Sequence, residues 1–339
     1  MKKIVFDVLN NDNGTHFAIL GAAAFKSKNK NYEIALVGDK EIIEEELAKK
    51  PFSLTKDDFI IVDSKNLVYI KSSPREALKN PSSMLDAFNY LIKNDFDAIL
   101  SSGDSGAFTT LSMLKIKRLP NVERIAFMPV LPSTKGIHTL LLDAGANIET
   151  SAQYLQNWAI IANEYHKLIF NSNNPVIGLL NIGSEEYKGS TILKEANSLL
   201  KETSNLNYLG FIEPKDAING VVDIILADGQ NGNIFLKTME SSFLGFGKLL
   251  KKIIHTNLKT KIGGLLIKKQ LNKLKNEFDY RNVGGAYIIG LEKVVVKAHG
   301  GSDEIAFENA LNQIKFVLDK EDFNKNLKEG LSKINNEIK

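Results

Sequence analysis

The feature that most constrains this chain is a repeated unit. A short aliphatic run ends abruptly at glycine and a small polar or acidic residue, then gives way to a helix-length amphipathic stretch. The clearest instance is VVDIILADGQNGNIFLKTM at residues 221–239. Val221, Val222, Ile224, Ile225 and Leu226 read as a buried parallel strand that stops at Asp228-Gly229. A small polar turn, Gln230-Asn231-Gly232-Asn233, is then expected to lead into a helix. Its glycines allow close backbone approach, and its asparagines donate hydrogen bonds without carrying charge.

The same unit recurs. Strands are expected at Ile4 to Val8, Ile34 to Val37, Phe59 to Val62, Ala98 to Leu100, Ile125 to Val130, Thr139 to Leu142, Val176 to Leu180, Tyr208 to Ile212, Asp223 to Ala227 and Val294 to Ala298. Helix-length segments lie between many of them, among them Ser105 to Lys115, Ser151 to Phe170 and Asp303 to Leu318. This alternation predicts an α/β fold with a doubly wound, mostly parallel, helix-covered sheet. With no internal repeat and no Pro/Gly-rich hinge, residues 1–339 read as a single domain.

The strand ends carry the functional signal. They read DVLNNDNG, VGD, SSGDSGA, LDAGAN, NIGSEEYKG, ADGQNGN and AHGGSD. One such end only closes a turn, but parallel strands bring their carboxyl ends to one edge, where ligands bind. Converging backbone N–H groups and helix N-termini there suit a phosphate or a developing oxyanion. Neither GxGxxG nor GxxxxGK[ST] occurs. Lys188, between the turn after Val176–Leu180 and Gly189, is placed to meet a phosphate, or to be a solvated loop lysine. Asp7, Asp12, Asp104, Asp143 and Asp228 stand at strand ends, where acids cap helices, pin loops or hold a metal; no histidine pattern points to a metal, and Asp7, Asp12, Asp143 and Asp228 read as loop organisers. His299 sits in such a loop and reads equally as a turn-internal or a catalytic group.

Composition narrows the chemistry. The chain has no cysteine, which excludes disulfides, thiolate metal sites and a cysteine-bound acyl intermediate. Asp7 interrupts the first apolar run, so the N-terminus reads as a strand and not a signal peptide, and the protein as cytoplasmic. Net charge is only +3, yet residues 241–276 hold nine lysines and no acid. Phe243, Phe246, Leu250, Ile253, Ile254 and Leu258 recur at helical spacing, as do Ile267, Leu271, Leu274 and Phe278. Residues 240–279 therefore read as an inserted helical hairpin with Gly263-Gly264 at its tip and Leu265, Leu266 and Ile267 beside it. That hairpin suits packing on the body or a second subunit, an anionic membrane surface, or an acidic protein. Nucleic acid is disfavoured, because aromatic interleaving is missing.

Taken in order, these loops resemble the bacterial PlsX family of acyl-acyl-carrier-protein:phosphate acyltransferases. The resemblance rests on Asp7 to Asn13, PSSM at Pro81 to Met84, SSGDSGA, LLLDAGAN, GLLNIGSEEYKG, ADGQNGNIFLKTMESS, GGAYIIGL at Gly284 to Leu291, and KAHGGSD at Lys297 to Asp303. It implies a fold similar to phosphotransacetylases and isopropylmalate-type dehydrogenases, a homodimer, and a membrane-contacting hairpin. It also implies acyl transfer from acyl carrier protein to inorganic phosphate, without a cofactor, by a peripherally membrane-associated enzyme. The family's first loop is usually DAMGGD, whereas this chain reads DVLNND, with Asn10 and Asn11 in place of two glycines.

Carried onto this sequence, the resemblance gives Lys188 the phosphate and Asn233 the oxyanion or thioester carbonyl. Gly103, Ser105, Gly106, Asn147, Gly229, Asn231, Gly232, His299 and Ser302 are expected to shape the phosphate and acyl-thioester pocket. Leu265, Leu266 and Ile267 are expected to meet the membrane. Competing readings are an acyl-coenzyme A-dependent phosphotransacylase and a non-catalytic membrane or carrier-protein adaptor.

Overall fold

In the computed structural model, which describes residues 1–49, 54–277, 284–320 and 323–337, the expected unit repeats as strand, loop and helix. The order begins β1 (Lys2–Asp7), α1 (Thr15–Lys28), β2 (Tyr32–Gly38), α2 (Lys40–Ala48), β3 (Ile60–Asp63), α3 (Ser83–Lys93), β4 (Ala98–Ser101) and α4 (Ser105–Lys115). It continues with β5 (Ala126–Met128), β6 (Val130–Pro132), β7 (His138–Leu142), α5 (Ala152–Phe170), β8 (Val176–Leu180), α6 (Thr191–Glu202), β9 (Asn207–Ile212), α7 (Pro214–Ile218) and β10 (Ile224–Leu226). Then come α8 (Gly229–Ile254), α9 (Leu258–Leu266), α10 (Lys268–Glu277), β11 (Gly285–Ile289), β12 (Val294–Ala298), α11 (Glu304–Leu318) and α12 (Phe323–Glu337).

The strands form two sheets where one was expected. The larger runs β3-β2-β1-β4-β12-β11-β5, and the smaller β6-β7-β10-β8-β9. Pairing is mostly parallel, with antiparallel contacts at β11–β12, β11–β5 and β6–β7. The division falls inside one predicted strand, Ile125 to Val130. Pro129 has no N–H to continue a ladder, and the chain leaves the larger sheet at Met128 and enters the smaller at Val130. β11, inside GGAYIIGL, was not anticipated as a strand.

Central strands such as β1 and β4 are buried on both faces, which is why they read as unbroken aliphatic runs. Trp158 is fully buried and donates its indole N–H to the Arg124 carbonyl at 3.0 Å. Helix starts are set by capping side chains: Asp39, Ser82, Asp104, Ser151, Ser190, Asp228 and Asp303 each accept a first-turn backbone N–H.

The Lys-rich stretch differs from its expected form. Three helices replace the hairpin, although the first, as the sequence suggests, runs unbroken from the ADGQNGN segment through Phe243 to Ile254. The sharp break lies at residues 255–257, where Asn257 caps α9. Gly263 and Gly264 lie within α9 instead of at a tip. At Gly264 a β-carbon would overlap the Ile254 side chain, so glycine lets α9 close onto the end of α8. Phe278 lies outside the described residues. No helix among the described residues is long and apolar enough to cross a membrane.

α1 and α11, which leave neighbouring loops, cross at Gly21. A β-carbon there would lie 2.5 Å from Phe307 Cβ and 2.9 Å from the Glu304 carbonyl oxygen. Gly21→Ala is therefore expected to cost roughly 1–3 kcal/mol. A lowered urea midpoint at constant m-value is the readout. An unchanged midpoint would contradict so close a crossing.

Candidate active site

In the smaller sheet β7, β10 and β8 run parallel, with Leu142, Leu226 and Leu179 in register. Their following loops, at 143–147, 227–233 and 181–189, therefore share one edge. Asp143 organises the first. Fully buried, its carboxylate accepts from the backbone N–H groups of Phe127 (2.9 Å), Gly145 (3.1 Å), Ala146 (3.0 Å) and Asn147 (2.8 Å), and from Asn147 Nδ2 (2.9 Å). Burial pushes this carboxyl above the usual carboxylate range, and the N–H donors oppose that rise. These contacts fold residues 145–147 around the carboxylate. Asn147 turns inward, donating also to the Ile125 carbonyl at 2.7 Å, so its amide supports the loop and does not face a ligand.

The ADGQNGN segment is helical earlier than expected. Its polar quartet forms the first turn of α8, because Asp228 caps the Asn231 N–H at 2.9 Å. Asn231 Nδ2 also donates to Asp228 at 2.6 Å, which ties that side chain to the cap. Gly229 and Gly232 are buried against the Asp143 loop. A β-carbon at Gly229 would overlap the Asn147 carbonyl, and one at Gly232 the Asp143 carbonyl. These glycines let the helix pack closely on the loop. Asn233 is half-buried over Gly145, where a β-carbon would lie 3.0 Å from Asn233 Nδ2. Its amide makes no hydrogen bond among the described residues, and it stands beside a helix N-terminus.

Lys188 lies on the same edge, folded over Gly183, with its ammonium 2.8 Å from the Glu185 carboxylate. That ammonium holds the Glu185 carboxyl below its usual range. Asn181 Nδ2 donates to the Lys188 carbonyl at 3.2 Å, which fixes the loop. Lys188 and Asn233 come to one edge without a hydrogen bond between them.

The larger sheet builds a second loop cluster from β1, β4 and β12. Asp7, Ser101 and Lys297 are in register across these strands. Buried Asp7 accepts from Asn10 Nδ2 (2.9 Å), Ser83 Oγ (2.7 Å) and Ser101 Oγ (2.7 Å). Burial raises its carboxyl pKa, opposed by those donors. Neither Asn10 nor Asn11 occupies positive φ, so glycine's freedom is not needed in this first loop. Asn11 Nδ2 instead donates to the Ser302 carbonyl at 3.1 Å, and the Asp12 N–H to the Gly300 carbonyl at 2.9 Å. His299 Nδ1 accepts from the Gly301 N–H at 3.0 Å, a turn-internal role. Ser302 is fully buried, and its hydroxyl has no partner among the described residues. Gly103 packs against Asn10 and Met84, where a β-carbon would collide, while Ser105 is exposed and Gly106 half-buried at the start of α4.

Sequence reasoning passed over Asn10, Ser83, Ser101 and Lys297 as site residues. The available signal was a lysine inside an otherwise apolar central strand. Lys297 is 6 % exposed. Burial brings its pKa down to about 8, with Asp104, Asp12 and Asp7 opposing. Since the ordinary lysine value is 10.5, the folded state carries a buried-charge penalty below about pH 8 and sheds it as pH rises towards 10.5. Among the described residues no group of three His, Asp or Glu side chains is arranged to hold a metal ion.

The glycine contacts give a paired prediction. Gly232→Ala forces α8 off the Asp143 loop and is expected to cost roughly 1–3 kcal/mol or more and to reduce turnover. Gly245→Ala, on the same helix with nothing nearby, is expected to be neutral or to stabilise by up to about 1 kcal/mol. Thermal denaturation of the two variants, run together, checks the contrast.

A family model described as fatty acid synthesis protein matches residues 2–325. A phosphate acyltransferase from Mycoplasmopsis agalactiae is 42 % identical, over 94 % of this chain and 95 % of its own length. One from Caldicellulosiruptor saccharolyticus is 36 % identical, over 92 % and 93 %. Among solved structures, a phosphotransacetylase from Streptococcus pyogenes superposes with a TM-score of 0.59 at 17 % identity, covering 94 % of each chain, a likeness of fold. Matched along almost its whole length by that model and these relatives, the chain belongs to the fatty acid synthesis protein family that contains the PlsX phosphate acyltransferases.

Proposed function

We infer that this chain transfers an acyl group from a thioester to inorganic phosphate, and we propose acyl carrier protein as the donor. The observation that carries the reading is the uncommitted amide of Asn233, held beside a helix N-terminus on the edge that also bears Lys188. Phosphate is already a nucleophile, so the site has to position it and stabilise the tetrahedral oxyanion. Lys188 exchanges Glu185 for the more highly charged phosphate. A phosphate oxygen then attacks the thioester carbonyl, forming a C–O bond while Asn233 Nδ2 donates to the developing oxyanion. Collapse breaks the C–S bond, and the carrier leaves as thiolate and takes a proton from solvent.

The lysine-rich helices supply the second half of the proposal. Leu265 and Leu266 are 69 % and 78 % exposed, and Phe246, Leu249 and Ile253 are also exposed on α8. Apolar side chains flanked by lysines suit an anionic membrane surface, which an amphiphilic acyl phosphate would favour. Leu265, Leu266 and Ile267 are the proposed inserting residues. The same apolar surface is available to a second copy of the chain, in keeping with the family's homodimer.

Lys188→Ala and Asn233→Ala are each expected to lower kcat by about 100- to 1,000-fold. Acyl phosphate trapped as hydroxamate measures it, with circular dichroism to verify folding. Near wild-type turnover in either folded variant would remove that residue from its role. In vesicle flotation, Leu266→Glu should lose binding to anionic vesicles that wild type retains. Equal flotation of both, or no preference for anionic lipid, counts against membrane docking.

A further inference from the structure

Lys297 is the one buried lysine or arginine among the described residues, and no step above uses it. It closes β12 in register with Ser101 of β4, which is in register with Asp7 of β1. Its ammonium reaches past the strand ends and donates to the carbonyls of Ser102 (3.1 Å) and Ala298 (2.6 Å). These carbonyls open the loops after β4 and β12. Ser102 Oγ in turn donates to the Asn10 carbonyl at 2.6 Å, which joins the loop after β1. Lys297 thus ties the loop carrying Gly103, Ser105 and Gly106 to the one carrying His299 and Ser302, and through Ser102 the pair reaches the loop carrying Asp12. The cluster also reaches the reacting edge, because His299 lies within electrostatic range of Glu240, about two turns along α8 from Asn233.

The charges around Lys297 are lopsided. Asp7 faces it from β1, Asp12 from the following loop and Asp104 from the cap of α4, yet none comes within ion-pair distance. His299 and Asp303 flank it in its own loop. A buried ammonium without a close carboxylate is a poor way to stabilise a fold, since an apolar side chain of similar size often does as well. As a tether it is effective. Hydrogen bonds from a charged donor are roughly twice as strong as neutral ones, and the positive charge offsets three carboxylates that would otherwise repel across the loops.

We propose that Lys297 is a positioning residue for acyl transfer, whose charged ammonium holds the β1, β4 and β12 loops as one rigid wall of the substrate site. The proposal rests on the phosphate acyltransferase reading. It predicts that turnover depends on a group that loses its proton near pH 8, where burial has brought this lysine. The dependence falls on kcat more than on KM, because the residue acts on geometry and touches no reactant.

Three measurements test it together, all with acyl phosphate formation as the readout. For wild type, kcat is expected to fall as pH rises past about 8. Lys297→Met, neutral and of similar length, should lower kcat about 10- to 100-fold with a smaller change in KM, and should lack that alkaline fall. Lys297→Cys introduces the sole thiol of the chain. Aminoethylated in denaturant and refolded beside wild type, it restores a near-isosteric but less basic ammonium at the same position. Activity should return, with the alkaline fall moved to lower pH, an effect that simple loss of packing does not produce. A flat wild-type profile, a folded Lys297→Met variant with wild-type kcat, or a rescued variant whose fall has not moved would each overturn the proposal. If wild type makes no acyl phosphate, the functional reading fails and this one with it. If wild type is active and Lys297 is neutral to substitution, only this inference fails.

Discussion

The loop after β7 and the start of α8 hang on the Asp143 carboxylate. It binds the Phe127 N–H of β5, which belongs to the larger sheet, while its own strand, β7, belongs to the smaller. It also folds residues 145–147 around itself. The backbone of this loop is then the surface on which α8 lands, at Gly229 and Gly232. A buried carboxylate met by five N–H donors is expensive to disturb, because losing any donor leaves part of a charge unpaired in a dry environment. The joint between the sheets and the seat of the functional helix are therefore one structure, and Asn233 inherits its position from it.

From that seat α8 runs without interruption to Ile254, through a surface that buries only its two glycines fully. A helix this long cannot be stabilised by propensity alone. Its first turn is anchored, its middle leans on the body near Phe235, Leu236 and Met239, and its far end is clasped by α9 through Gly264. Along α8 and α9 the apolar residues Phe246, Leu249, Ile253, Leu258, Leu265 and Leu266 are left exposed. One rigid element thus connects the proposed oxyanion donor with the proposed docking surface. In the proposed mechanism, chemistry and contact with a partner or membrane share it.

Much of this was legible in the chain, for physical reasons. Central parallel strands are buried on both faces, so Ile4–Phe6, Ile34–Val37 and Val294–Val296 announce themselves as aliphatic runs, and acids at strand ends become caps. The allocation of strands to sheets was not legible. Ile125 to Val130 is one apolar run in sequence, and only three-dimensional pairing shows it divided at Pro129. Glycine misled in the Lys-rich segment, where Gly263-Gly264 looked like a stop and instead makes room for Ile254. In the site, side-chain direction was the missing variable. The residue types at Asn231 and Asn147 suit ligand binding, yet each also donates to an aspartate of its own segment, Asp228 and Asp143. Lys188 and Asn233 were reached through the family resemblance, and Lys297 escaped because a single charge in a hydrophobic run reads as noise until its surroundings are known.

The most direct test follows the leaving group. Because the chain has no cysteine, any thiol released when purified protein is mixed with acyl carrier protein thioester comes from the carrier. The account predicts thiol release that requires phosphate, accompanied by acyl phosphate in equal amount. Thiol release independent of phosphate, or none with a folded protein and a competent donor, would contradict it.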